Sequence, residues 1–465
     1  MRVKNKKILI LGSGKSGISA AKFLLERQAQ VDLYDDNSEK KPIYSEIAAA
    51  NLFLGKEPNL EENNYDFAVI SPGIPLSNTL PMSLKAHNIP ILGELELAAR
   101  FLKAPIIGIT GTNGKTTTTT LVGEILKEAG QNVFVCGNIG VPLLNAVDGE
   151  YDYIVVEMSS FQLETIEKLD AKVSLFLNLT PDHLNRHGNM QGYLAAKANL
   201  AKCQGKNSFT VINYDDKYFS DLEKTIKSKC VYFSMKEILY QGTFLKEDTI
   251  VFRYDHGDGA VDEPIMNKNE IKLLGPHNLE NAMGAITIAK LLGVNAKVIK
   301  KTLKAFKGVE HRMEKVCTIK GVTYINDSKA TNPDSVLKAL ASYGDTPLIL
   351  IAGGRNKGSD FEELSKAISK RVKYMVLVGE CANEMAESAK SVGYTDFEIV
   401  NNMAEAVLRA ADLGQNGDIV LLSPATASFD QFNSFQHRGE VFKDNVLKLK
   451  RRKTHGRTDE EEEAT

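Results

Sequence analysis

Three tandem α/β domains, each with a mostly parallel sheet flanked by helices, are the fold this sequence predicts, and three observations predict it. The chain has 465 residues, too many for one ordinary core and near three at about 150 residues each. It repeats one rhythm: a short β-branched run, a loop of glycine or small polar residues, then an amphipathic helical stretch. That is the pattern of helices layered on parallel strands. The loops after the strand runs are rich in ligand-binding residue types, at the carboxyl ends of strands where open α/β sheets bind their ligands.

The first block, residues 1–94, has strand ends in "KKILILGSG", "QVDLYDD" and "DFAVISPGI". Gly12, Gly14 and Gly17 are spaced G-x-G-x-x-G after a strand, and Asp35 ends the next strand. This is the Rossmann-like fingerprint for a pyrophosphate at a helix N-terminus with an acid near a ribose. Read alone it suggests a nicotinamide-dependent oxidoreductase, yet any nucleotide diphosphate offers the same two groups.

The second block, residues 95–305, opens with "APIIGITGTNGKT". A strict G-x-x-x-x-G-K-[ST] loop fails here because Ile109 stands where the first glycine belongs, but the working half remains. Gly111 and Gly114 let amides approach phosphate oxygens, Lys115 brings a charge to the outer phosphates, and the Thr116 hydroxyl can ligate Mg²⁺ at a helix start. The block is therefore P-loop-type and is expected to bind a nucleoside triphosphate. Glu157 lies just past a strand end and suits a hard cation. His183 is an unusual choice for magnesium, and by spacing alone it reads as a structural hydrogen-bonding histidine before a ligand. Lys197, in "YLAAK", has the spacing of an ordinary helix lysine. Asn278 and Asn281 share a helix face, able to read a base or to cap a turn.

The third block, residues 306–450, is again Rossmann-like, with strand ends in "VTYINDSKATNPDS", "PLILIAGGRNKGSDF" and "DIVLLSPATASFD". Residues 451–465, "RRKTHGRTDEEEEAT", are charged and aperiodic and are expected to be a disordered tail. Lys plus Arg total 57 against 59 acids, a net charge of −2, so no charge excess points to nucleic acid or a membrane surface. Five scattered cysteines without a C-x-x-C pair argue against disulfides and zinc. With no signal-type or membrane-length apolar run, the expectation is a cytoplasmic protein acting on small molecules.

"GITGTNGKTTT", "NLTPDHLNRHG", "GPHNLENAMGA", "EHRMEKV", "INDSKATNPDS", "IAGGRNKGSDF" and "SPATASFDQF", with "ISPGI" and "LGELEL" in the first block, together resemble the Mur ligases over essentially the whole chain to about residue 450. The resemblance implies an ATP-dependent amide ligase of peptidoglycan synthesis that adds D-glutamate to UDP-N-acetylmuramoyl-L-alanine through an acyl phosphate, as a monomer. Folylpolyglutamate-type ligases share only the nucleotide loop. Gly14, Lys15, Ser16, Asp35, Ser71 and Gly73 would hold the UDP-sugar, with Asn138 and His183 on its muramoyl-alanyl arm. Asp36 and Asn37 stand where members often carry Thr and Arg. Gly111, Thr112, Asn113, Gly114, Lys115, Thr116 and Thr117 would cradle the ATP phosphates. Asn278 and Asn281 would face adenine, Arg312 the phosphates and Asp327 the ribose. Two Mg²⁺ ions are implied, with ligands from Thr116, Glu157, His183 and Lys197, the last carrying a CO₂-derived carbamate. Lys115, His183, Lys197 and Asn138 would be catalytic. Lys329, Thr331, Lys357, Ser428 and Phe435 would form the D-glutamate pocket.

Overall fold

The first sheet grows from "KILIL", Lys7–Leu11 (β1), whose residues from Ile8 onward are fully buried. A strand covered on both faces has no polar alternation, which is why this run is uniformly apolar. Gln30–Asp35 (β2), Asn51–Leu54 (β3), Phe67–Ile70 (β4) and Ile91–Gly93 (β5) complete a five-stranded sheet of order β3-β2-β1-β4-β5, with every pair parallel. The order reverses beside β1, so the β1 and β4 loops open into one crevice. The computed structural model describes residues 1–38, 47–255, 257, 259–273, 275–356 and 358–462, with 452–462 as backbone alone.

The second sheet has nine strands: Ile106–Thr110 (β6), Val133–Gly137 (β7), Tyr153–Glu157 (β8), Val173–Phe176 (β9), Phe209–Asn213 (β10), Lys229–Ser234 (β11), Gly242–Lys246 (β12), Thr249–Asp255 (β13) and Ala260–Asn267 (β14). Their order is β14-β13-β12-β11-β10-β9-β6-β8-β7. The strands from β7 to β12 pair in parallel, while β12-β13-β14 form an antiparallel arm. The central strand β6, buried throughout, lies between β8 and β9.

The third sheet has six strands: Glu314–Ile319 (β15), Val322–Asn326 (β16), Leu348–Ala352 (β17), Val372–Val378 (β18), Phe397–Val400 (β19) and Ile419–Leu422 (β20). All its pairs are parallel except the β15-β16 hairpin.

By contact the chain forms two compact units: Met1–Lys272 with Asn278–Phe306, and Leu273–His277 with Lys307–Thr465. The first unit holds the first two sheets, and "LGELEL" is one place where they are fastened. Buried Glu94 accepts a hydrogen bond from the Leu144 amide at 2.7 Å, and buried Glu96 accepts from the Glu167 and Lys168 amides at 2.8 and 2.9 Å. Charged acceptors on backbone amides make strong, directional ties.

The last helix spans Phe435–Glu462. Its core contacts include Phe442, Val446 and Leu449. Residues 463–465 lie outside the described residues.

Candidate active site

The first loop joins β1 to the helix Lys15–Glu26, with Gly14 as its N-cap. Two of its three glycines are required by the fold. Gly12 has φ +92°, and a Cβ on Gly17 would lie 1.8 Å from the Gly12 carbonyl oxygen. Gly14 differs: its φ is −73°, and a Cβ there would meet nothing within 4 Å. The space it leaves is a cavity of about 830 Å³ lined by all six first-block residues expected to hold the UDP-sugar, namely Gly14, Lys15, Ser16, Asp35, Ser71 and Gly73. Helix-terminal amides and Lys15 give this wall the character of an anion site. The buried Asp35 carboxylate accepts from the Ser13 amide at 2.8 Å and the Ser13 hydroxyl at 2.6 Å, so it braces the loop as well as facing the cavity. Ser71 donates to the Gly12 carbonyl at 3.2 Å.

Gly17→Ala is expected to destabilise the protein by about 3 kcal/mol, because it drives a methyl into backbone. Gly14→Ala should unfold at the wild-type midpoint yet raise KM for the UDP-sugar. An unchanged KM would exclude close approach of a diphosphate at Gly14.

The second loop leaves β6 and enters the helix Lys115–Glu128. Gly114 has φ +83°, and a Cβ there would meet the Asn281 side-chain oxygen at 2.0 Å. Asn281 in turn donates to Asn278 at 3.2 Å, and both are buried. The pair expected to face adenine therefore packs under the phosphate loop. Lys115 Nζ donates to the carbonyls of Gly111 and Thr112 at 2.9 and 2.8 Å, placing its charge over the loop. Thr116 and Thr117 are buried in the first turn. Asn113 is clamped by Asn178, whose side chain accepts from the Asn113 amide at 2.9 Å and donates to its carbonyl at 3.1 Å. The Thr112 hydroxyl donates to the Thr180 carbonyl at 3.2 Å and lies 3.3 Å from the Tyr193 hydroxyl.

Glu157, at the end of β8, is buried; one carboxylate oxygen accepts from Asn138 Nδ2 at 2.8 Å, and the other has no partner among the described residues. A buried bare carboxylate oxygen is costly unless a cation completes it, so Glu157 fits a hard divalent ion. Asn138 orients that ligand. Neither Asn138 nor His183 is among the residues that line the first-block cavity.

Lys197 is 1% exposed; its Nζ donates to the Gly111 carbonyl at 2.9 Å and sits 4.5 Å from the Tyr193 ring centroid. Burial, and then the Lys115 charge, hold its pKa well below the ordinary lysine value. This is no solvated helix lysine. Only the uncharged form of an amine condenses with CO₂, and burial favours that form, so Lys197 fits the carbamate. His183 has left-handed backbone (φ 55°) and packs its ring 4.6 Å from Phe161.

In the second unit, Asp327 is buried and accepts from Ser423 at 2.9 Å and the Met313 amide at 3.2 Å. Burial raises its pKa to about 6, opposed by Arg312. Arg312 Nε is itself buried without a hydrogen-bond partner among the described residues. Lys329 lies 5.5 Å from the Phe435 ring centroid, Ser428 is buried and Thr331 is exposed. Lys357 lies outside the described residues.

The sequence reading assigned no role to Arg438, although it is the largest fully buried side chain. Its guanidinium donates to the Ser328 hydroxyl and carbonyl at 3.0 and 2.9 Å, the Thr426 carbonyl at 3.1 Å and the Gly353 carbonyl at 3.4 Å. It thus ties together the loops that carry Lys329, Ser428 and the "GGRNKG" turn. Asn178, Tyr193 and Arg438 all lie inside distinctive stretches of sequence, but only the fold reveals what each one touches.

A lysine-bearing phosphate loop, a bare buried carboxylate and a separate anion-type cradle on another sheet fit an enzyme that uses a nucleoside triphosphate. The chain matches the Mur ligase MurD-like N-terminal domain over residues 6–93, the Mur ligase middle domain over 109–289 and the Mur ligase glutamate ligase domain over 311–426. It is 44% identical to the UDP-N-acetylmuramoylalanine--D-glutamate ligase of Pelotomaculum thermopropionicum, covering 96% of this chain and 98% of that protein. It is also 44% identical to the Clostridioides difficile protein of the same name, over 97% and 100%. The chain belongs to the Mur ligase family. Among solved structures it shares its fold with MurF ligase from Thermotoga maritima in complex with ADP, at TM-score 0.58 and 16% identity over 96% of each chain. The UDP-N-acetylmuramate-alanine ligase from the same organism gives TM-score 0.59 and 18% identity over 95% of this chain and 99% of that one.

Proposed function

We infer that this enzyme uses ATP to join the amine of D-glutamate to the L-alanyl carboxylate of UDP-N-acetylmuramoyl-L-alanine, releasing ADP and phosphate, in peptidoglycan precursor synthesis. The observation that carries this is the presence of two different phosphate cradles in one unit, at Gly14 and at Gly114–Lys115. A nicotinamide-dependent oxidoreductase has no use for the second, and a folylpolyglutamate-type ligase has none for the first.

A carboxylate does not lose hydroxide to an amine at neutral pH. Transfer of the γ-phosphoryl group onto it gives an acyl phosphate, from which attack by the amine expels phosphate through a tetrahedral intermediate. Mg²⁺ held through Thr116 and Glu157, and a second ion through His183 and carbamylated Lys197, would neutralise the oxygens of the γ-phosphate and the substrate carboxylate. Lys115 adds a fixed charge at the outer phosphates, and Asn138 keeps the Glu157 carboxylate aimed. Lys329, Lys357, Thr331 and Ser428 supply cations and hydroxyls suited to the two carboxylates of D-glutamate, with Phe435 beside them. The expected setting is the cytoplasm and the expected form a monomer. Among the described residues no helix is long and apolar enough to cross a membrane.

The test is phosphate release from ATP with UDP-N-acetylmuramoyl-L-alanine, screened across D- and L-amino acids. D-Glutamate should stand alone. Equal or faster turnover with L-alanine, or with L-glutamate on a folate, would reject the assignment.

A further inference from the structure

Arg186 lies three residues after His183, in the short helix Leu184–His187 of the central domain, yet its guanidinium reaches the first domain. Its Nε and Nη2 pair with the two carboxylate oxygens of Glu164 at 3.2 and 2.6 Å, and Nη2 also donates to the carbonyl oxygen of Ile74 at 3.1 Å. The pair is largely buried, with side chains 11% and 16% exposed, and the guanidinium carbon sits 4.9 Å from the Phe161 ring centroid. Phe161 is the same ring that packs at 4.6 Å against His183.

Ile74 closes the turn that begins at Ser71, its amide donating to the Ser71 carbonyl at 3.0 Å. Ser71, Pro72, Gly73 and Ile74 all line the cavity opposite Gly14. The inner end of this turn is fixed by Ser71 on the Gly12 carbonyl, and the outer end by Arg186. A planar fork held by one carboxylate and stacked on one ring has little freedom to move. The Ile74 carbonyl and the His183 ring are therefore referenced to the same guanidinium.

We infer that Arg186 is a positioning residue that sets the Ser71–Ile74 turn over the UDP-sugar and, through Phe161, sets His183 in register with it. This rests on the reading of the cavity as the UDP-sugar site. It adds a specific coupling: the sugar nucleotide and the reacting end are aligned by one side chain that touches neither the diphosphate loop nor the ATP loop.

Steady-state kinetics with UDP-N-acetylmuramoyl-L-alanine, ATP and D-glutamate test it. Arg186→Ala should raise KM for the UDP-sugar about tenfold or more, the scale of a lost charged hydrogen bond, and lower kcat, while KM for ATP stays at the wild-type value. Arg186→Lys, which keeps the charge and loses the fork, should recover only part of the loss. If Arg186→Ala does not fold, Glu164→Gln, which keeps the shape and releases one side of the fork, should show the same selective rise in smaller measure. An unchanged KM for the UDP-sugar, or an equal rise for ATP, overturns the inference. Calorimetric binding of the UDP-sugar to the wild-type protein separates the two readings: binding with no selective effect of the variants sinks the coupling alone, and absence of binding overturns both.

Discussion

Lys197→Ala should lose ligase activity on the order of a hundredfold or more, the cost of removing a metal-site group, and acetate should restore part of it by occupying the vacated position. Lys197→Arg, cationic and unable to form a carbamate, should remain inactive with or without acetate. The structural ground is the burial of an amine whose charge is disfavoured by desolvation and by Lys115. On the proposed account an uncharged nitrogen there would add CO₂, and the carbamate would turn a site hostile to cations into an oxygen ligand of the kind magnesium accepts. The measurement is phosphate release in buffers with and without CO₂, alongside ¹³C NMR of the labelled carbamate. Near-full activity of Lys197→Ala in CO₂-depleted buffer would end this account.

Glu157→Gln should be comparably damaging, by about a hundredfold in kcat, with a shift of the Mg²⁺ requirement to higher concentration. The amide keeps the shape, and its oxygen can still accept from Asn138 at the 2.8 Å contact, but the position now bare would carry an NH₂ group instead of an anion. A magnesium titration of initial rate distinguishes this from a packing defect, since a packing defect would lower the plateau and leave the midpoint in place. Asn138→Ala should show the same midpoint shift to a smaller degree, because it frees the ligand without removing it.

Much of this site can be read before any fold is known, because its key parts are contiguous. "GSGKSG" and "GTNGKT" are strand–loop–helix units in which spacing alone fixes which atoms meet. The same holds for "ISPGI", whose turn lines the first cavity. Residues that act across the sheet are different. Asn178 clamps Asn113 only because β9 pairs with β6, and nothing in "NLTP" announces that neighbour. Tyr193 and Lys197 share a helix face, but their burial over Gly111 depends on where that helix docks. Arg438 becomes a buried hub, and Arg186 a largely covered one, only through partners far away in the chain. The antiparallel arm β12-β13-β14 was likewise hidden inside an otherwise parallel pattern.

The strand order β10-β9-β6-β8-β7 has a consequence for how the protein is made. The first sheet is complete once residue 93 has been synthesised, so it can assemble as a contiguous unit while the rest of the chain is still emerging, as early domains do. The second cannot proceed that way. Strand β6 and its phosphate loop are made early, but their flanking partners are β8, ending at Glu157, and β9, ending at Phe176. The lysine that covers the loop comes later still. Such long sequence separations slow the closing of a sheet, because chain entropy is lost before the contacts that repay it. Through this interval the nascent chain holds a glycine-rich loop and an apolar strand with neither edge paired, and ATP has no finished cradle to select. Nucleotide can therefore reward the completed central domain but cannot guide the first half of its assembly.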